Sequence, residues 1–504
     1  MHNKIQLSIL LFIFGVSALA QHRPFPQHTE YYKHIKPTKY TQEELDSHVT
    51  LFYEKWKSLY LKHGCETNQY YVFFDDGNTL TVSEAMGYGM MIMPLMAGYD
   101  SNAREYFNGM FRYYKAHPSH KTPNLMAWKQ ITGCVDADGP DSASDGDIDI
   151  AFGLLMAHEQ WGSTGAINYL YFAKLMIDDI MGSSSVKGDI NQNTHTVKLG
   201  DWVQSGKYMT GTRTSDFITD HFKAFSCVSD DSLSWVGVVN RCYELIDNMQ
   251  QNFSTTTGLL PDFIVDTDSN PKPAPAGYLE GDLDGHYSYN ACRDPWRIAT
   301  DYLIYGDERA LDAVVKINRW ILNKSGGDAS EVYAGYYLNG NKAANWTDIS
   351  FTAPFAVGAM LDGSNSDWLD NLYSEILYAQ TADAGYYGNT IKLLSMITIS
   401  GNYWVPSCNL YSDIAQPRLQ EKDDFSISVS RADGNLVINL KNSLPNEKTK
   451  VNIYNSCGAL VKQQSLTEGS TSKVLISNFP AGLYLITLFI GNGKRLGTKK
   501  FIWN

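Results

Sequence analysis

The sequence predicts a mostly helical domain followed by a small β-sandwich, and three observations carry that prediction. Segments with apolar residues at helical spacing recur from Thr41 to about residue 400. Turns rich in Gly, Asn and Pro separate them, and no long alternating strand runs intervene. From residue 426 the pattern changes to short alternating strands, bounded by turns such as Asp433-Gly434 and Gly491-Asn-Gly493. A chain of 504 residues is long enough for one large domain and a smaller one. Periodicity by itself says only that the first is mostly helical.

Residues 1–20 read as a secretory signal peptide. Lys4 supplies the charge, Leu7 to Val16 a short apolar core, and Ala18-Leu-Ala20 a small-residue cleavage site. That core is too short for a membrane anchor, and no later segment is long enough to span a bilayer, so an exported, soluble protein is expected. Export permits disulfides among the cysteines at 65, 134, 227, 242, 292, 408 and 457. Their number is odd and no Cys-x-x-Cys pair exists, so pairing stays open and burial in the core is the default.

Thr41 to His63 has a helical stripe of Val49, Phe52, Trp56 and Tyr60. Gly77-Asn78 marks a turn, and the next helix begins near Thr81-Val-Ser83-Glu84 with Ser83 as its cap. Gly87 and Gly89 lie inside that helix at some local cost, which points to close approach of another backbone or a ligand. In Ala143 to Trp161, Asp145, Asp147 and Asp149 alternate ahead of an apolar run. The expectation is a loop becoming a helix, capped by Ser144 or Asp145, with Ile150, Leu154 and Ala157 facing inward. A calcium loop would need a Gly and a closing Glu that are missing. Further helices are expected over 165–181, 216–226, 231–253, 294–305, 307–324, 349–360, 366–379 and 388–400. Residues 413–425 read as a linker. Strands are then predicted at 426–429, 436–440, 450–454, 473–476, 483–490 and 499–503.

The net charge of −13 is unevenly shared, because residues 426–504 carry ten Lys/Arg against three Asp/Glu and residues 21–425 stand at −21. So acidic a main domain argues against nucleic acid or an anionic membrane as partner and is compatible with a neutral or cationic substrate. Aromatic residues make up 13% of the chain, including 32 tyrosines and 11 tryptophans. Most must pack the core, but such rings also line sugar clefts. No Ser/His/Asp order, phosphate-cradling Gly loop or His-based metal motif is present.

Ala143-Ser-Asp145-Gly-Asp147, with Ile150-Ala151, Ala157 and Trp161, resembles the signature segment of glycoside hydrolase family 8, departing from it at Gly153. Ser83-Glu84-Ala-Met-Gly87-Tyr88-Gly89-Met90 is similar to a second motif, in which the Glu is the general acid. Asn124 to Trp128 resembles a stretch ending in a substrate-stacking Trp. Arg213 to Phe225 and Gly258 to Phe263 resemble further landmarks near the cleft. With a dozen or so helices, the resemblance implies an (α/α)6 barrel over residues 21–412, with Asp145 as the carboxylate beside the central sugar. Glu84 at a helix start is favoured as an ion by the dipole, so burial among Met and Tyr would have to hold its proton.

Tyr287-Ser-Tyr289-Asn290-Ala-Cys-Arg293-Asp-Pro-Trp-Arg297 resembles the third motif, where many members carry an Asp base at the position of Asn290. An amide cannot take up a proton at working pH. Either catalysis is lost and a sugar-binding protein remains, or the base comes from the loop upstream. The second arrangement resembles a subgroup that includes chitosanases with activity on β-glucan. The loop from Asp266 to His286 is long and carries Glu280, Asp282 and Asp284. Glu280 is the first candidate base and Asp284 the second, with Arg293 and Tyr289 orienting the site.

The tail from 426 to 504 resembles the C-terminal sorting domain of the type IX secretion system through Val451 to Gly458, Leu475 to Tyr484 and Lys500-Phe501. A carbohydrate-binding module is the alternative, but exposed Trp and Tyr do not cluster in its strands. The resemblances together imply an inverting endo-glycosidase, secreted or held on the cell surface, cutting β-1,4 linkages in chitosan or β-glucan. It would act as a monomer without metal or cofactor, its partners being the polysaccharide and the secretion machinery. Glu84 would be the acid, Glu280 the base and Asp145 the distorting carboxylate. Trp128, Tyr88, Tyr289, Asn290, Arg293 and Asp284 would complete the substrate site. An endo-xylanase of the same family and an inactive glycan-binding protein are the alternatives.

Overall fold

The computed structural model describes residues 22–408 and, further on, 425–430, 434–440, 449–455, 460–466, 471–480, 482–490 and 494–503. The expected signal peptide, nearly all of the expected linker, and Cys457 lie outside the described residues. The chain divides after Cys408 into two compact units.

Twelve α-helices make up the first unit among the described residues: α1 (Gln42–Tyr60), α2 (Ser83–Met96), α3 (Ala103–Ala116), α4 (Ser144–Trp161), α5 (Tyr169–Met181) and α6 (Thr219–Val228), then α7 (Ser232–Asn252), α8 (Asp294–Tyr305), α9 (Glu308–Ser325), α10 (Ile349–Ala359), α11 (Ser366–Tyr378) and α12 (Thr381–Ile399). The even-numbered helices pack side by side in sequence, and α12 closes the ring against α2. Each is backed by an odd-numbered neighbour, α1 standing behind α12. This is an (α/α)6 barrel.

The residue pattern explains which helices go inside. Every residue of α10 is buried, and in α4 only His158 is not. A helix apolar all round has no solvent face to offer, so it must be surrounded. By contrast α3 buries Phe107, Met110, Phe111 and Tyr114 on one side and exposes Arg112 on the other. No helix is predicted there, and Gly109 stands near its centre. In the fold a Cβ at Gly109 would stand 3.0 Å from the Tyr70 backbone nitrogen, so the glycine admits a close approach.

Glycines also set the tightest helix crossing in the barrel. A Cβ on Gly87 of α2 would stand 2.6 Å from the Asp149 Cβ of α4, and one on Gly146 of α4 would stand 2.5 Å from the Ser83 carbonyl carbon of α2. Gly153, where the sequence departs from its family pattern, faces the Met90 backbone oxygen at 2.9 Å. Larger residues would hold α2 and α4 apart.

Several expected helix ends are corrected. Helix α1 is capped by Thr41 in a capping box with Glu44, but it stops at Tyr60. Leu61–His63 instead pairs antiparallel with Tyr70–Val72. Ser83 is not the cap of α2; it is the first helical residue, and its N–H donates to the Trp128 carbonyl at 2.8 Å. Neither Ser144 nor Asp145 caps α4, which already begins at Ser144, so the three aspartates lie on a helix and not in a loop. The Ser144 hydroxyl is spent on the Lys198 carbonyl at 2.7 Å. Helix α12 starts seven residues before the predicted 388 and breaks at Gly385, whose φ of 56° is left-handed.

Two disulfides, Cys65–Cys134 and Cys227–Cys408, replace the default of core packing for four cysteines, while Cys242 and Cys292 are free and buried. Among the described residues no helix is long and apolar enough to cross a membrane, and no cluster of three or more His, Cys, Asp or Glu is arranged to hold a metal.

The second unit is a sandwich of two antiparallel sheets. One holds Phe425–Ser430, Asn435–Leu440 and Thr471–Leu475; the other holds Leu460–Ser465, Thr449–Asn455, Gly482–Ile490 and Lys494–Trp503 in that order. Leu436, Ile438 and Val474 of the first meet Val451, Ile453, Ile486 and Leu488 of the second in one core. The edge strand Leu460–Ser465 was not predicted, since Lys462, Gln463 and Gln464 in succession hide its alternation. Such polar edges blunt unwanted strand pairing.

Candidate active site

The inner helices bring their N-terminal ends to one end of the barrel, where a cleft of about 500 Å³ opens. Glu84 comes from the first turn of α2 and Asp145 from the first turn of α4. Arg213 ends the short strand Thr212–Arg213, while Asn290 precedes and Arg293 ends the 3-10 turn Ala291–Arg293 that leads into α8. Glu280 projects from the 266–286 loop. All six line the cleft, together with Trp128, Tyr289, Asp348 and Tyr387.

These groups form a closed ring of acids and bases. Arg293 Nη1 donates to Glu84 Oε2 at 2.6 Å and to Asp145 Oδ2 at 3.3 Å. Arg213 Nη1 reaches the same Asp145 oxygen at 3.1 Å, and its Nη2 lies 3.5 Å from Glu280 Oε1. Asn290 Nδ2 donates to Glu280 Oε2 at 2.7 Å, and Asn290 Oδ1 accepts from Arg293 Nη2 at 3.1 Å. The amide is thereby oriented, with NH2 toward Glu280 and oxygen toward Arg293. Two guanidiniums separate three carboxyl groups, so no two carboxylates meet directly.

The carboxyl groups divide by environment. Burial pushes Glu84 up to about 7; Arg293 opposes this and Asp145 adds to it. Burial also works against ionisation of Asp145, but Arg213 and Arg293 overcome it and hold that carboxyl below its ordinary value. Glu84 is therefore poised to carry a proton near neutrality while its neighbour stays charged. Tyr386 donates to Glu84 Oε1 at 3.1 Å and fixes the other oxygen. Glu280 is half exposed at the cleft wall, with its side chain 50% accessible. Beneath it, burial raises Asp262 to about 7, while the N–H groups of Ala291 and Ser288 oppose the rise. Those donors lie 2.7 and 3.0 Å from Asp262 Oδ1.

Two of the expected site residues stand elsewhere. Asp284 is only 3% exposed and turns away from the cleft into its own loop. Its carboxylate accepts from the N–H groups of Leu279, Glu280 and Gly281 at 2.7, 3.1 and 2.8 Å. It builds the turn that presents Glu280. Tyr88 is wholly buried, and its hydroxyl accepts from Arg293 at 3.2 Å, so it supports the guanidinium from below.

Other residues at the site were not foreseen. Tyr386 and Tyr387 follow the Gly385 break, and the Tyr387 hydroxyl donates to the Tyr289 carbonyl. A glycine directly before paired tyrosines, ahead of an apolar helix, was the signal available. Asp348 caps α10, accepting from Ser350 N at 2.9 Å, and also accepts from the Tyr289 hydroxyl at 3.2 Å. The cleft continues past Trp128 into a second space of about 480 Å³, lined also by Trp202, Asp138 and Asp141.

The profile described as glycosyl hydrolases family 8 matches residues 45–401, and that of a secretion system C-terminal sorting domain matches residues 432–504. A beta-glucanase of Niallia circulans is 46% identical over 399 residues, which is 79% of this chain and 95% of that protein. An endoglucanase of Bacillus sp. (strain KSM-330) is 36% identical over 415 residues, covering 80% and 87% respectively. Among solved structures, an apo beta-1,3-1,4-glucanase from Paenibacillus sp. X4 matches with a TM-score of 0.74 at 46% identity, over 77% of this chain and all of that one. Rex8A from Paenibacillus barcinonensis, complexed with xylose, has a TM-score of 0.62 at 19% identity, over 73% of this chain and 95% of its own, and shares the fold.

Proposed function

The chain belongs to glycosyl hydrolase family 8, and from that premise we propose that Glu84 and Glu280 are the acid and base of an inverting cut through a β-glucan chain. The protein is a secreted endo-glycosidase of the endoglucanase type, acting on β-1,4-linked glucans. It carries a type IX secretion sorting domain, in keeping with a place outside the cell or on its surface. In our reading residues 1–20 are the signal peptide, 21–412 the catalytic domain, 413–425 the linker and 426–504 the sorting domain, and the enzyme works as a monomer.

The observation that carries the mechanism is the contrast between buried Glu84, near 7, and half-exposed Glu280 across the Arg293–Asn290 bridge. Inverting glycosidases place two carboxyl groups roughly 6.5–9.5 Å apart, with room for a water between sugar and base. Glu84 gives its proton to the glycosidic oxygen. Glu280 takes a proton from water as the water oxygen attacks the anomeric carbon on the opposite face. Asp145, held ionised by two arginines, stabilises positive charge developing on the sugar ring. Asn290 cannot be a base, and its NH2 group instead orients Glu280. This arrangement supports placing the chain in the subgroup with Asn at that position.

We favour a neutral glucan over chitosan, because the relatives similar over most of the chain are a beta-glucanase and an endoglucanase. Beyond the ring, Asp138 is paired with Lys129 at 2.7 Å and Asp141 with Lys121 at 3.7 Å.

Reducing-end release from lichenan, carboxymethyl-cellulose, chitosan and xylan tests the reading with wild type, Glu84→Gln and Glu280→Gln. Hydrolysis of the glucans should fall by about 10²–10⁴ in either variant, and the first product should be the inverted anomer by NMR. Full activity in Glu280→Gln would remove it as base, and an inactive wild type would favour a glycan-binding protein.

A further inference from the structure

We propose that Trp346 forms an outer sugar-binding site at the Tyr289 end of the cleft, stacking on a β-linked glucose ring beyond those held among the carboxylates. The proposal rests on the glucan reading above.

Trp346 is 57% exposed, and the cleft residue Tyr289 beside it is 40% exposed. A core indole would be covered; this one is left open where the cleft ends. Its N–H is turned to the Tyr289 hydroxyl at 3.4 Å, and that hydroxyl donates to Asp348 at 3.2 Å. The two side chains are therefore tied together, and Tyr289 and Asp348 line the cleft. Tyr289 is also held from below, edge-on to Phe351 with centroids 5.1 Å apart, and through its carbonyl by Tyr387.

The backbone carrying Trp346 is braced by the neighbouring residues 333–336. The Trp346 carbonyl accepts from Ala334 N at 2.9 Å, Tyr333 and Thr347 form a β-bridge, and Tyr333 N donates to the Tyr336 hydroxyl at 2.7 Å. A backbone held in this way, with the indole N–H turned to Tyr289, leaves less of the side chain to be ordered on binding. The ligand chemistry follows from the ring. A flat amphipathic surface with a polar edge matches the C–H face and hydroxyl rim of a β-linked pyranose. At the other end of the cleft Trp128 and Trp202 offer similar faces, so aromatic rings stand at both ends of the acid–base pair.

The test compares kcat/KM on a tetrasaccharide and an octasaccharide of the glucan the wild type cleaves. Full-length wild type, Trp346→Ala and Trp346→Phe are used, with thermal melts confirming that each variant is folded. Trp346→Ala should lower the octasaccharide-to-tetrasaccharide ratio about tenfold, the effect of losing one stacked ring, and Trp346→Phe should restore most of it. An unchanged ratio would overturn the proposal. So would an equal loss on both lengths, which would make Trp346 a prop for Tyr289. Failure of the wild type on both substrates would overturn the glucan reading itself, and this site with it.

Discussion

At the scale of the residue, the chemistry depends on which influence wins at Glu84. A helix N-terminus and Arg293 favour the carboxylate, while burial and the Asp145 charge favour the acid. Burial prevails and brings the group to about 7. With Glu84 as the general acid we propose, it must hold its proton to protonate the leaving oxygen, and kcat/KM on lichenan should fall about tenfold per pH unit above roughly pH 7. A rate that stayed level to pH 9 would remove Glu84 from that role. Glu84, Asp145 and Arg293 could be picked out in the sequence because each sits in a short motif that resembles one of the family's. Tyr386 and Asp348 could not. Tyr386 reaches Glu84 across 302 residues, and a lone Tyr or Asp carries no local mark of such a partner. Asp284 shows the opposite failure. Its nearness in sequence to Glu280 suggested a spare base, whereas three backbone N–H groups claim its carboxylate for the turn.

At the scale of the element, the site is positioned by how closely α2 and α4 approach. Glu84 sits one turn before Gly87, and Asp145 directly precedes Gly146, the glycines at that crossing. Gly146→Ala should cost about 1–3 kcal/mol, the usual penalty of overpacking, because its Cβ would press on the Ser83 carbonyl carbon at 2.5 Å as well as on the short Ser83 side chain, and the backbone cannot swing aside. Urea unfolding would measure it against Gly363→Ala, where nothing lies within 4 Å. Equal stability of the two variants would mean that the crossing is slack. The glycines inside the second helix announced this approach in the sequence, whereas the inner and outer rings were implied only by the resemblance to the family. Helix ends were less legible. Ser83 and Ser144 have the residue type of a cap, but both are buried at the crossing, and the Ser144 hydroxyl is bonded to Lys198 instead. Tertiary contact overrode a local preference that was sound by itself.

At the scale of the whole molecule, the acidic balance of the main domain was plain in the sequence, but how its carboxyl groups are housed was not. Burial lifts Asp178 to about 6, Glu84, Asp216 and Asp262 to about 7, and Asp189 to about 8. Asp189 shares its surroundings with the Asp201 charge, which adds to the rise. In the unfolded chain all five would ionise near the ordinary carboxylate value of about 4. Between about pH 5 and 8 the folded protein therefore binds more protons than the unfolded one. Stability changes with pH by about 1.4 kcal/mol per unit for each proton of difference, and falls with rising pH where the folded state holds the excess. The depressed groups Asp145, Asp220 and Asp100 act in the opposite sense at more acid pH. His34, His48, His158 and His286, lowered by burial, oppose the decline below about pH 6.5, but the five raised carboxyls outnumber them and act up to about pH 8. The melting temperature should accordingly peak near pH 5 and decline steadily to pH 8, as read by calorimetry of the full chain. Repulsion among surface carboxylates would also weaken the fold as pH rises, but added salt screens it and leaves buried groups largely untouched. The decline should therefore persist in about 0.5 M NaCl, where the Debye length is only about 4–5 Å. A melting temperature that stayed flat from pH 5 to 8 in salt would mean that these buried acids ionise in the folded barrel as freely as they do in the open chain.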